Sequence, residues 1–444
     1  MRTDLTPGRT VRRLQRGAGM VATTLILLFA ISLAVLYVNR GVLMEQRSAG
    51  NQSQATLAHE VAESGLEWAI GMLNAPFDIG TDCTFLTTTN LSFRKRYAMR
   101  NWNASPSSTD IVPATTTYPG CKIDPATGAL TCSCPNVPNS GSATASLGTS
   151  VAPGFTLAFE AVSGDTEALR VTVYACSAQA GACTQSSFGA ADGNARISAV
   201  VKLRPMLRAT PSSPLTCGTS CTVGGSYNII NQDISTNGIL INAGTTISTA
   251  PGTTTTTLQG QPSQNAMVGS DSSLSSLSSS DPTCSNSQMF NAYFGTTLSQ
   301  YRNAPSTRVL SCGSASDCKT KLDNAYNDGW RAFYFDSDLQ LSGNNTYGSQ
   351  ADPITLVTPN AITINGDNTF YGLIFSNNSD WNNIGTGSAT IYGAQVTCAA
   401  FNSNGNGTVS YDPDVLKNAR RMTGIMVRVP GSWRDFRVST DSLP

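Results

Sequence analysis

The chain has 444 residues, with 28 Lys and Arg balanced by 28 Asp and Glu, one His and only 13% charged positions. That balance leaves no basic field of the kind nucleic acid requires, and 40% hydrophobic residues exclude a disordered polymer. Ser, Thr, Asn and Gly dominate long stretches, which reads as β structure and loops.

The first element is a membrane helix. Residues 12–38, RRLQRGAGMVATTLILLFAISLAVLYV, set a basic cluster and Gly17 directly against an uncharged stretch from Ala18 to Val38. At about 1.5 Å per helical residue that stretch spans a hydrocarbon layer of about 30 Å. Arg2, Arg9, Arg12, Arg13 and Arg16 hold the N-terminus in the cytoplasm. A cleaved secretory signal fits poorly, because Tyr37, Asn39 and Arg40 follow the apolar run with no small-residue cleavage site. A plain signal anchor fits the hydrophobicity equally well, and what argues against it is Gly17 lying before the apolar core.

Helical spacing continues beyond Arg40. Leu57, Ala58, Val61, Ala62, Gly65, Leu66, Ala69, Ile70 and Leu73 form one stripe, with Glu60, Glu63 and Glu67 elsewhere. Pro76 is expected to stop the helix at Asn74 and Ala75. From Ala18 the whole helix would reach about 85 Å. Ser48, Gly50, Asn51 and Ser53 are weak formers, so a local melt or kink is expected there.

This arrangement of basic leader, Gly, apolar half-helix and amphipathic half-helix resembles type IV prepilins. Residues Gln15 to Gly17, Glu45, Asn51 and Val61 to Glu67 resemble the N-terminal segment of PilX-type minor pilins, and the ending, Tyr411 to Leu416 with Gly431 to Phe436, is similar to large members of that family. The resemblance implies a 17-residue leader that a prepilin peptidase removes after Gly17, with methylation of the new amine on Ala18. A missing side chain lets the backbone lie extended against a protease, and Gly19 is the competing cut by the same reasoning. An ordinary juxtamembrane Gly is the plain alternative. Removing a leader with five Arg and one Asp leaves the mature chain four units negative.

Major pilins have Glu as fifth mature residue, pairing with a neighbour's terminal ammonium. Here that residue is Ala22, or Thr24 after a cut at Gly19. An uncompensated ammonium in an apolar core is costly, so this chain suits a place where the contact is not needed, such as a filament tip. The K-type pseudopilin of type II secretion shares the lack and is the nearest alternative. The implied partners are prepilin peptidase, the other minor pilins, the major pilin and a pilus-tip adhesin. The implied location is the inner membrane, then a surface pilus.

Twelve cysteines lie outside the membrane half, in what this topology makes an oxidising compartment. Short loops favour Cys176 with Cys183, Cys217 with Cys221, and Cys312 with Cys318, each closure contributing about 2 kcal/mol. Spacing leaves Cys83, Cys121, Cys132, Cys134, Cys284 and Cys398 unpaired, and a zinc site lacks a paired C-x-x-C.

Residues 76–208 are expected to be a pilin-like α+β region. Its first part, to about Ser150, reads as irregular and disulfide-tethered. Three alternating strands then fall near Phe155, Val171 and Ile197, an antiparallel sheet to cover the helix stripe. Residues 209–215 read as a linker within PMLRATPSSP. From 216 to 415, short alternating segments separated by Gly and Asn turns suggest a β-solenoid, a right-handed β-helix. Tyr371-Gly372 and Tyr392-Gly393 recur 21 residues apart, though a β-sandwich would also show short strands. Pro251 to Pro282 reads as a flexible Thr/Ser insertion, Lys319 to Ala332 as a short helix, and 416–444 as a tail. The fold class is therefore α+β to mainly β: a long pilin helix, a small antiparallel sheet and a solenoid-like C-terminal domain.

No enzyme is expected. The sole His, His59, belongs to the long helix, where it reads as a solvated or subunit-contact residue. No cofactor is implied. Asp336, Asp338, Asp352, Asp367, Asp412 and Asp414 are the residues from which a carboxylate pair or a calcium site could be drawn, but no complete ligand loop accompanies them and surface turns account for them equally well. A membrane-anchored solenoid enzyme acting on glycans is the rival of a different class. Trp330, Tyr334, Trp381 and Tyr411 permit an exposed carbohydrate or protein contact surface, with core packing the safer explanation for any one of them.

Overall fold

The computed structural model describes residues 15–86, 91–100, 111–184, 193–279, 288–360, 362–376, 388–403 and 405–435. One helix runs unbroken from Gln15 to Asn74. The melt expected at Ser48–Ser53 is absent. A weak former costs about 0.5–1 kcal/mol, whereas a break forfeits several hydrogen bonds and demands a new nucleus, so propagation wins. Thr56 Oγ1 also donates to Gln52 O at 2.9 Å across this stretch.

The second half of the helix is buried along the stripe: Ala58, Val61, Ala62, Leu66, Ala69, Met72 and Leu73 pack on an antiparallel sheet. Each large apolar side chain so removed from water contributes about 1.5–3 kcal/mol. Gly65 sits where helix and sheet come closest. A Cβ there would lie 2.8 Å from Phe155 Cγ and 2.9 Å from Val173 Cγ1.

The sheet centres on strands Val151–Val162, Asp165–Ala180 and Asn194–Arg204, which place Phe155, Leu157, Phe159, Val171, Val173, Ile197 and Val201 beneath the helix. Register is set by pairs such as Leu157↔Val173 and Val173↔Ile197. The hairpin Gly120–Ile123 with Leu130–Ser133 extends one side, so the region before Ser150 is more ordered than its composition suggested. Ile425–Arg428 pairs antiparallel with Asn194–Arg204 on the other side. Residues 416–444, expected as a tail, therefore include helix Pro413–Met422 and an edge strand of the first sheet. Everything between Arg204 and Ile425 is an excursion from that sheet.

The excursion is built of parallel ladders. One runs in spatial order Thr307–Leu310, Ala332–Phe335, Ile354–Thr358, Thr369–Ser376, Thr390–Thr397, Leu215–Cys217, Ile241–Ala243 and Met267–Val268. Cys221–Val223 similarly lies between Phe401–Ser403 and Ile247–Thr249, and Asn228–Ile230 between Thr408–Ser410 and Thr254–Thr256. Spatial order thus departs from chain order, because the first segments stack beyond the last. Gly372 pairs with Gly393, at φ of 150° and 130°, and a Cβ on Gly372 would strike Ile354 O. Helix Ala315–Asn327 lies over the ladder end at Thr307–Leu310 and adds Cys318, Leu322 and Ala325 to the same buried cluster as Leu215, Ile241, Leu356 and Ile374.

Two expectations fail here. The flexible insertion expected from Pro251 to Pro282 is ordered over residues 251–279, since Thr254–Thr256 is a paired strand and Ser272–Ser279 a helix, while residues 280–282 lie outside the described residues; β-branched Thr suits a ladder as well as a loop. The linker is also packed. Ser213 and Leu215 are buried, and Ala209 N–H donates to Tyr293 O at 3.0 Å.

Candidate functional site

The apolar half of the long helix is bare. Met20, Leu25, Leu27, Phe29, Leu33 and Leu36 are exposed, and the helix is long and apolar enough to cross a membrane. Its few hydroxyls are turned back onto its own backbone: Thr23 Oγ1 donates to Gly19 O at 3.1 Å, Thr24 Oγ1 to Met20 O at 3.1 Å, and Ser32 Oγ to Leu28 O at 2.7 Å. An apolar surround therefore meets no unsatisfied donor from these groups. Gly17, Ala18 and Ala22 all lie within this helix.

At its other end a short basic helix, Phe93–Tyr97, is wholly buried. Sequence reasoning passed over it, although Arg94-Lys95-Arg96 stands out in a chain with so few charges. Ser92 caps it, its Oγ accepting from Lys95 N–H at 3.4 Å. Arg94 Nε donates to Leu73 O at 2.7 Å and Nη1 to Gly424 O at 2.7 Å, tying the last turn of the long helix to the returning chain. A cation suits that place, since the C-terminal carbonyls carry the negative end of the helix dipole. Burial lowers the Arg94 pKa to about 10, and it remains a cation at neutral pH. Asn74 Nδ2 donates to Met426 O at 2.9 Å, and its Oδ1 accepts from Met426 N–H at 2.7 Å.

Lys95 reaches the other unit. Its Nζ lies 2.9 Å from Asp352 Oδ1, and Arg331 Nη2 lies 2.8 Å from Asp352 Oδ2. Burial works against the Asp352 carboxylate, but Lys95 and Arg331 outweigh it and hold its pKa below the usual range. Burial pulls the Lys95 pKa down, with Asp352 opposing. Asn74, Arg94, Lys95, Arg331 and Thr423 line a cavity of about 40 Å³ beside this triad, room for a water. Phe77 stands edge-on to Trp330 at 5.2 Å nearby.

Asp352 therefore belongs to a joint between units. Asp336 pairs with Arg302 at 3.5 Å, Asp367 accepts from Ser388 N–H at 3.0 Å, and Asp412 caps helix Pro413–Met422 through Asp414 N–H at 3.0 Å and Val415 N–H at 3.1 Å. Among the described residues no three His, Cys, Asp or Glu come together. The aromatic surface is not assembled. Trp330 and Tyr334 are buried, Tyr411 is half-buried with its hydroxyl donating to Pro211 O at 2.8 Å, and Trp381 lies outside the described residues. His59 lies against the C-terminal segment, its ring 6.2 Å from that of Trp433.

The structure joins Cys176 to Cys183, Cys217 to Cys221 and Cys312 to Cys318. It also joins Cys83 to Cys134 and Cys121 to Cys132, while Cys398 is disulfide-bonded and Cys284 lies outside the described residues.

The PilX N-terminal family model matches residues 16–67, the bare half-helix and most of the buried stripe together. Over those residues the chain is similar to the PilX N-terminal family. The likeness drawn from Gln15–Gly17, Glu45, Asn51 and Val61–Glu67 is borne out over residues 16–67. A crystal structure of the competence-associated pilin ComZ from Thermus thermophilus matches at 11% identity over 86% of this chain and 97% of that one. Its TM-score is 0.22, too low to carry an argument about this fold. No curated protein matches the sequence.

Proposed function

We propose that this chain is a minor pilin of the type IV pilus, cut by prepilin peptidase after Gly17, methylated at Ala18, and placed once at the filament tip, where it primes assembly. The observation that carries the reading is the PilX N-terminal match over a helix whose apolar half is bare and whose stripe holds the head. Ala22 supports the tip, since no carboxylate at that position requires a neighbour's ammonium.

Before assembly the helix sits in the inner membrane with the head in the periplasm; afterwards the head stands on the cell surface beside other minor pilins. We read the excursion as a β-solenoid, supported by three sets of parallel ladders and an apolar column inside them. It presents an adhesive surface or holds an adhesin. The reading is non-enzymatic and without a cofactor, because the carboxylates considered for catalysis or calcium have structural partners such as Arg302, Lys95 and the Pro413–Met422 helix amides.

Mass spectrometry of the mature N-terminus tests it. A methylated Ala18 is expected, and an intact Met1 would overturn the reading. Labelled antibody against the head should mark pilus ends; marks spread along the shaft would remove the tip assignment.

A further inference from the structure

Among the described residues, the last turn of the stack, Ile241 to Val268, ends in two unpaired edges. Ile247–Thr249 pairs on one side only, with Cys221–Val223, and Thr254–Thr256 on one side only, with Asn228–Ile230. Thr254 N–H donates to Tyr227 O at 2.9 Å and Thr256 O accepts from Asn231 N–H at 2.8 Å, so Thr255 between them turns its amide and carbonyl outward. The same alternation, fixed by Thr246 O accepting from Cys221 N–H and Ala250 N–H donating to Val223 O, turns Ile247 and Thr249 outward.

Natural edges are guarded by charge, proline, a bulge or a covering element. This one is not. No charged residue occurs between Asp233 and Asp271, and neither strand contains proline. The opposite end of the stack, at Thr307–Leu310, is by contrast covered by helix Ala315–Asn327.

We propose that this edge is a docking surface for an extended, uncharged strand of another protein, added parallel to Ile247–Thr249 and Thr254–Thr256. The molecule already uses this mode within itself. Leu215–Cys217, Cys221–Val223 and Asn228–Ile230 dock in parallel on Gln395–Thr397, Phe401–Ser403 and Thr408–Ser410, far away in sequence. A second copy is the poorer occupant, because two copies related by a twofold axis would meet with their strands antiparallel, whereas every pairing in this stack is parallel. Main-chain hydrogen bonds supply the affinity in such strand addition, and alternate side chains supply the selectivity. The surface goes beyond the pilus reading and does not depend on it.

The probe is a synthetic peptide of residues 219–232 with Cys221→Ser, which reproduces the strands that dock at the internal seam. It is added to the full chain in detergent micelles. Saturable binding is expected, with slowed hydrogen exchange at Ile247, Thr249 and Thr255. An N-methylated version should bind at least tenfold more weakly, as should the unmodified peptide to the Thr255→Pro variant, while Thr255→Ala retains binding. Unchanged exchange at those amides, or equal binding of the N-methylated peptide, would overturn the proposal even if the proline variant misfolds. A concentration-dependent dimer that Thr255→Pro dissolves would also overturn it, by assigning the edge to a second copy.

Discussion

Asp352→Asn should separate the two units energetically. The substitution keeps shape and removes one charge, leaving Lys95 and Arg331 facing a neutral amide. The Lys95 and Asp352 side chains are only 11% and 12% exposed, and Arg331 is 17% exposed, so water gives little relief. Stranding a buried charge in this way costs about 3–5 kcal/mol, whereas the half-exposed Lys202–Asp165 pair is screened by water. Chemical denaturation of the oxidised protein in micelles should show that loss at pH 7, and Lys95→Met combined with Asp352→Asn should be less than additive. The pH dependence has a definite sign. The folded Asp352 pKa is depressed, so its contribution is full above the unfolded value of about 3.9 and disappears as pH falls through the folded pKa. Wild type should therefore lose its advantage over the variant only in strong acid. A loss below about 0.5 kcal/mol, or simple additivity, would refute the joint.

Gly65→Val should destabilise by about 1–3 kcal/mol through overpacking on Phe155 and Val173, read as a lower denaturation midpoint. Gly372→Ala should cost more, since it meets both a forbidden φ and Ile354 O; loss of soluble oxidised protein on expression is the readout. Asn74→Ala should release the returning strand, removing about 1–3 kcal/mol and speeding amide exchange at Met426.

The long helix was legible because an apolar run and an amphipathic stripe are both local signals. The three central strands were legible for the same reason, since Val171, Val173 and Ile197 alternate with polar neighbours. The order of the parallel ladders was not, because three-residue strands such as Leu215–Cys217 carry no sign that their partner is Gln395–Thr397. Trp330 and Tyr334 follow the plainer reading, core packing, but what they pack against was not legible, because Phe77, Arg308 and Arg302 come from elsewhere in the chain. The joint escaped for a related reason. Charged side chains are ordinarily assigned to solvent, and only the fold reveals that Lys95 has Asp352 opposite it.

Completion of the first sheet by Ile425–Arg428 makes the pilin unit a record of the whole chain. The Gly424 carbonyl held by Arg94 and the Met426 groups held by Asn74 become available only after the entire excursion has been synthesised. A chain interrupted anywhere in its head would keep the long helix but leave the Asn194–Arg204 edge open and Arg94 without Gly424. Integrity of the far end is thereby reported at the base of the head, against the last turn of the long helix.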